Sequence, residues 1–211
     1  MLKENDSLVQ VKICGLTSMD DVHIIEKYGA DYAGMVLYYP KSRRNIDINL
    51  AAVLVAQLKK SDIKSVAVVV SPDVSQLEAI QNAGFDYIQI HGELSDDVYN
   101  ACSVRIIRAV NIKHQSEEDI YLETKRWRSL LFDAGVPGSG KTFDWESLKK
   151  ADCGNKKLFL AGGLTPDNVK AAIEAVRSDV VDISSGVEYD DVSVKGKDES
   201  KVKAFIQNAK F

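Results

Sequence analysis

The stretch VKICGLTSMDDVHIIEKYGADYAGMVLY, Val11 to Tyr38, decides how the rest of the chain is read. VKICG is a short, largely apolar run of the kind seen in parallel strands covered on both faces. TSMDDVHIIEKYGA then opens on Thr17 and Ser18, carries Asp20 and Asp21 in its first turn and stops at Gly29, which is the signature of an amphipathic helix. DYAGMVLY, from Asp31, is a second apolar run. Strand, helix and strand follow one another with no spare residues.

The same unit recurs outward from this stretch. Further runs are SVAVVV (Ser65 to Val70), YIQIHG (Tyr87 to Gly92), VRIIRAV (Val104 to Val110), SLLFD (Ser129 to Asp133), KLFLAGG (Lys157 to Gly163) and VVDISSG (Val180 to Gly186). Helical patterns fall between them: SPDVSQLEAIQNAGFD ends at Gly84, and TPDNVKAAIEAV starts with Thr165 as the expected N-cap and Pro166 at the first helical position. DESKVKAFIQNA closes the chain. Strand starts lie about 24 residues apart, the length of one strand–loop–helix unit. Eight such units predict a single-domain (β/α)8 TIM barrel over residues 11–211, with an open doubly wound sheet as the alternative. Residues 1–10 read as a polar N-terminal extension.

Composition narrows the function. Of 211 residues, 45% are hydrophobic and 27% charged, as in a globular domain with a real core. The net charge of −4 and the lack of a basic stripe argue against nucleic acid as a partner. An anionic substrate would need positive potential concentrated locally. The longest apolar runs cannot span a bilayer. Cys14, Cys102 and Cys153 are odd in number and show no metal-ligand spacing, so reduced thiols in a cytoplasmic protein are expected, with no bound metal. The first ten residues carry no apolar core of a signal peptide.

In such a barrel, function gathers at the C-terminal ends of the strands. LAGG, ending in Gly162 and Gly163, and ISSG, with Ser184, Ser185 and Gly186, sit at the ends of the last two strands. Glycine lets backbone approach an anion, and oriented N–H groups hold it, so the pair of loops points to phosphate. Tight turns alone are the plainer explanation for either loop. GVPGSGKT, Gly135 to Thr142, matches a phosphate loop and by itself suggests a nucleotide hydrolase. Yet TFDW separates it from the next helical segment, and Asp182 is the nearest candidate for a metal-binding carboxylate. A glycine-rich loop over the barrel mouth is the competing reading.

Cys14 ends the first strand. A free cysteine is most often a small buried hydrophobe, but this position offers exposure, and Lys12, two residues earlier, points the same way and would favour thiolate. Asp133, at the end of the sixth strand, is either a turn residue or a general acid, which requires a raised pKa. Arg43 and Arg44 form a rare cation cluster near the mouth, suited to a carboxylate. His91 is a ligand, an acid–base group or a packed ring; His23 and His114 read as structural.

Taken together, KICGLT (Lys12 to Thr17), YYPKSRR (Tyr38 to Arg44), QIHG (Gln89 to Gly92), FDA with GSGKTFDW (Phe132 to Trp145), LAGGLTPDNV (Leu160 to Val169) and DISSGVE (Asp182 to Glu188) resemble the phosphoribosylanthranilate isomerases, in family order and over nearly the whole chain from Val11. The resemblance also explains the phosphate-loop look-alike, since that family carries GKTFDW without being a nucleotidase. It implies an Amadori rearrangement of N-(5′-phosphoribosyl)anthranilate to 1-(2-carboxyphenylamino)-1-deoxyribulose 5-phosphate in tryptophan biosynthesis. Cys14 would be the general base and Asp133 the general acid. Arg44, or its neighbour Arg43, would take the anthranilate carboxylate. Lys12, Gln89, His91, Gly162, Gly163, Ser184, Ser185 and Gly186 are the further substrate-binding candidates, the phosphate lying on Gly163, Ser185 and Gly186. No cofactor or metal is implied, because the substrate's own nitrogen is the electron sink. The partner is a small phosphosugar, and the chain would act as a monomer or homodimer. A non-catalytic phosphosugar-binding barrel is the remaining alternative. The segment YDDVSVKGKDE after SSGVE looks longer than the family's usual loop.

Overall fold

The computed structural model describes residues 9–111, 126–133 and 156–210. Eight parallel strands occupy the eight apolar runs: β1 (Gln10–Cys14), β2 (Tyr32–Leu37), β3 (Lys64–Val70), β4 (Tyr87–His91), β5 (Arg105–Asn111), β6 (Ser129–Asp133), β7 (Lys157–Ala161) and β8 (Val180–Ile183). Each pairs with its sequence neighbours, and β1 pairs with both β2 and β8, so the sheet closes on itself. This is the (β/α)8 barrel expected, not the open sheet. The first strand begins at Gln10, opposite Val180, one residue before the expected boundary. A two-residue ribbon, Asn45–Ile46, extends the edge of β2 beyond the barrel.

The helices among the described residues are α1 (Met19–Tyr28), α2 (Ile48–Leu58), α3 (Val74–Asn82), α4 (Asp96–Ala101), α5 (Val169–Val176) and α6 (Glu199–Ala209). Their ends follow the sequence signals closely. The Ser18 hydroxyl accepts the Asp21 N–H at 3.1 Å to open α1, and Gly29 closes it in the left-handed region at φ 75°. Asp73 and Gln76 form a reciprocal capping box at the start of α3. The start of α5 differs from expectation: it begins at Val169, not at Pro166. The reason is Asn168, whose side chain accepts the Thr165 N–H at 2.8 Å and donates to the Gly163 carbonyl at 3.0 Å. That clamp ties the turn to the glycine loop and delays the helix.

Period-two alternation divides the side chains of each strand. Outward-facing residues such as Val11, Ile13, Ala67, Ile88 and Leu160 meet the helices in the larger apolar layer. Inward-facing residues fill the barrel. There Tyr32 packs edge-to-face on Tyr87 and Phe159, with ring centroids 5.7 and 5.3 Å apart. The Lys157 ammonium donates to the Tyr32 hydroxyl at 2.6 Å and the Arg105 guanidinium to the Tyr87 hydroxyl at 3.1 Å. Toward the C-terminal ends the interior turns polar: Lys12, Gln89 and Asp182 are all buried there. The aromatic plug therefore supports a polar upper layer.

Phe159 is fully buried in the plug. Phe159→Ala is expected to cost about 3–5 kcal/mol of unfolding free energy, measured as a shift in the urea midpoint; a loss below about 1 kcal/mol would contradict the packing described.

Candidate active site

The C-terminal ends of the strands surround a cleft of about 390 Å³. Cys14 from β1, Gln89 and His91 from β4, Asp133 from β6 and Asp182 from β8 border it, together with Arg44 from the loop after β2, Gly162 and Gly163 after β7, and Ser184, Ser185 and Gly186 after β8. Cys14 and Asp133 thus share one cavity although 119 positions separate them in the chain.

Beneath this cleft lies a buried ion pair. Lys12 is 0% exposed, and its Nζ lies 3.0 Å from each carboxylate oxygen of Asp182, itself 7% exposed. The two residues are register partners on β1 and β8. Burial alone would push the ammonium down, but Asp182 and Cys14 outweigh it and hold Lys12 protonated. Lys12 therefore does not border the cleft, where a substrate-binding role was expected, but supports its floor. Asp182, which the sequence suggested as a metal carboxylate, spends both oxygens on Lys12.

The Cys14 thiol is pushed up by burial; Lys12 and, more weakly, Lys197 pull it down, and Asp182 adds to the rise. The expected help from Lys12 toward thiolate is present, yet burial outweighs it and keeps the thiol above its usual range. The Ser184 hydroxyl donates to the Cys14 carbonyl at 3.0 Å, locking the end of β1 to the end of β8.

Gln89 and His91 form a pair on β4, with Nε2 atoms 2.8 Å apart. Donation from the amide leaves the imidazole neutral, in keeping with a His91 pKa pushed down to about 4 by burial, reinforced by Lys12 and Arg108. Gln89 is 2% exposed, and its Oε1 has no hydrogen-bond partner among the described residues.

The two arginines separate. The Arg43 guanidinium donates to the Val194 carbonyl at 2.9 Å and points to the segment after β8. Arg44 borders the cleft, and its Nε and Nη2 donate to the two carboxylate oxygens of Glu188, the longer bond at 3.1 Å. Glu188 also faces the buried Lys197 ammonium at 3.4 Å. Burial works against the Glu188 charge, but Arg44 and Lys197 prevail and hold the carboxyl below the usual range. The Lys197 backbone N–H in turn donates to Asp21 at 2.7 Å. Glu188 was not singled out in the sequence. No local pattern could have paired it with Arg44, 144 residues away.

Gly162 and Gly163 both adopt positive φ, 95° and 67°, a conformation that turns their amide groups in a way side-chain-bearing residues rarely match. Ser185 to Val187 make a single 3-10 turn beside them. The loop GVPGSGKT, His114 and Cys153 lie outside the described residues. His23 is exposed on α1 and takes no part in the cleft.

Comparison with known proteins agrees with this geometry. Residues 11–208 match the family model for N-(5′-phosphoribosyl)anthranilate (PRA) isomerase. An N-(5′-phosphoribosyl)anthranilate isomerase of Streptococcus mutans is 41% identical over 96% of this chain and 100% of its own. One from Streptococcus pneumoniae is 39% identical over 96% of both chains. Among solved structures, the phosphoribosyl anthranilate isomerase of Thermotoga maritima superposes with a TM-score of 0.83 at 34% identity, covering 96% of this chain and 99% of that one. A complex of such an isomerase with reduced 1-(o-carboxyphenylamino)-1-deoxyribulose 5-phosphate gives 0.81 at 31% identity, with the same coverage. With barrel, cleft and full-length similarity in agreement, the chain belongs to the N-(5′-phosphoribosyl)anthranilate isomerase family.

Proposed function

We propose that this chain catalyses the Amadori rearrangement of N-(5′-phosphoribosyl)anthranilate in tryptophan biosynthesis, with Cys14 as general base and Asp133 as general acid. The observation that carries the reading is that the thiol on β1 and the carboxyl on β6 border one cleft, which a guanidinium and two glycine-rich loops also line. The substrate has two anionic ends, a phosphate and a carboxylate. The loops after β7 and β8 suit the phosphate, through the backbone of Gly163, Ser185 and Gly186. Arg44, rather than Arg43, suits the carboxylate, since it is Arg44 that borders the cleft.

Asp133 gives its proton to the furanose ring oxygen; the ring C–O bond breaks and nitrogen supplies the electron pair, giving an iminium. That cation acidifies the C2–H. The sulfur of Cys14 takes this proton, the C–H pair enters the C1–C2 bond, and the iminium π pair returns to nitrogen. The resulting enolamine loses its hydroxyl proton and gains one at C1, yielding the ketone. Cys14 acts here as thiolate and Asp133 as acid. Burial works against that thiolate, and Lys12 works for it. Preorganised acid and base groups typically contribute about 10²- to 10⁴-fold each.

A monomer or homodimer in the cytoplasm, acting on a small phosphosugar and not on nucleic acid, fits the reading. A Thermotoga maritima relative is described as dimeric. The net charge of −4 disfavours nucleic acid, and among the described residues no helix is long and apolar enough to cross a membrane.

Cys14→Ala and Asp133→Asn are each expected to lower kcat by about 10²-fold or more with an unchanged circular dichroism spectrum; near-parental turnover of the aldosylamine by either folded variant removes that residue's role. Arg44→Ala is expected to raise KM by roughly 10- to 100-fold, the worth of a charge-assisted contact, with a smaller change in kcat. An unchanged KM in steady-state kinetics would move the carboxylate elsewhere.

A further inference from the structure

The ion pair under the cleft has a geometry that a purely structural pair does not need. An ammonium has three N–H donors. Two of those on Lys12 are directed at the two oxygens of Asp182, each at 3.0 Å. The ammonium also approaches the Cys14 sulfur, which helps to keep it charged. The approach is possible because residue 34 on β2 is glycine: a Cβ there would lie 2.9 Å from Cys14 Sγ and 3.1 Å from Lys12 Nζ. Sulfur and ammonium thus converge over one bare patch of backbone, where any larger residue would intrude.

We propose that Lys12, held by Asp182, is a positioning residue for the base: it directs its remaining N–H at the Cys14 sulfur and stabilises the thiolate during proton abstraction. This rests on the assignment of Cys14 as base. Asp182 performs two tasks. It keeps the buried lysine charged, and it fixes the ammonium so that the donor aimed at sulfur cannot swing away. Charge-assisted hydrogen bonds of this kind are stronger than neutral ones, and the dry site magnifies the effect. The other charged or titratable groups around Cys14 are Lys197 behind β8, Arg44 and Glu188 at the rim, Asp133 on β6 and neutral His91 on β4. The three atoms nearest the point over Gly34 are the Cys14 sulfur, the Cys14 Cα and Lys12 Nζ. Lys12 therefore acts on the thiolate without touching substrate, which separates its signature from that of a binding residue.

The test uses the full chain with Cys102 and Cys153 replaced by serine, so that thiolate absorbance in the ultraviolet reports Cys14 alone. Lys12→Met and the double variant Lys12→Met/Asp182→Asn are titrated without substrate and then assayed for turnover. The double variant guards against unfolding caused by an orphaned buried carboxylate. Both are expected to titrate Cys14 roughly one pH unit or more above the parent, which is a tenfold or larger loss of thiolate at neutral pH. The acidic limb of kcat/KM should move up with it, and kcat should fall about tenfold or more while KM stays within about threefold. A folded double variant whose Cys14 titrates at the parental midpoint overturns the proposal. So does a loss of activity expressed in KM alone, because Lys12 would then be a binding residue. The titration needs no substrate, so failure of the proposed isomerase activity in the parent would be seen separately.

Discussion

The Lys12–Asp182 ion pair is the interaction on which the rest of this site depends. It joins the first and last strands of the barrel at the level where the interior changes from apolar to polar. Burying two charges is expensive, and a buried pair is weak evidence of stability, since an apolar pair of similar volume is often as good. What the pair supplies instead is position. With both carboxylate oxygens on one ammonium, β1 and β8 are set in register, and the residue two places along β1, Cys14, is delivered to the cleft floor. The aromatic plug of Tyr32, Tyr87 and Phe159 sits on the N-terminal side of this layer and keeps it from settling into the barrel.

Around this floor the walls are built by long-range contacts. Glu188 takes two N–H groups of Arg44, Lys197 backs Glu188, and the Lys197 backbone is tied to Asp21 on α1. The segment after β8, Tyr189 to Glu199, is therefore a brace for the arginine of the loop after β2, and Arg43 fastens the same segment through Val194. On the other side Asn168 pins the Gly163 carbonyl. Arg44 and the glycine loop after β7 are thus held by side chains that do not line the cleft, and groups fixed in this way need no reorganisation when a ligand arrives.

The repeating unit was legible in the sequence because buried parallel strands and amphipathic helices leave strong local patterns, and Ser18 and Gly29 mark the ends of α1 where expected. The family motifs single out Cys14, Asp133 and Arg44, and all three border the cleft. Three features were not legible. Asn168 overrode Thr165 and Pro166 at the start of α5, because a side-chain clamp to a neighbouring loop leaves no trace in helix signals. The raised pKa of the Cys14 thiol is the second: sequence places Lys12 beside it, but only the packed barrel shows how much water is excluded. Glu188 and Asp182 gained their partners across 144 and 170 positions. Alternation along β1 and β8 could have set Asp182 against Lys12, had the register between the two strands been available.

The most direct measurement is a crystal structure of this chain with reduced 1-(o-carboxyphenylamino)-1-deoxyribulose 5-phosphate. The expected complex has the sugar's C2 beside the Cys14 sulfur, the carboxyl of Asp133 against the oxygen released from the ring, the phosphate on Gly163, Ser185 and Gly186, and the aryl carboxylate at Arg44. A ligand seated with Cys14 and Asp133 on the same side of it, or touching one and not the other, would contradict the account.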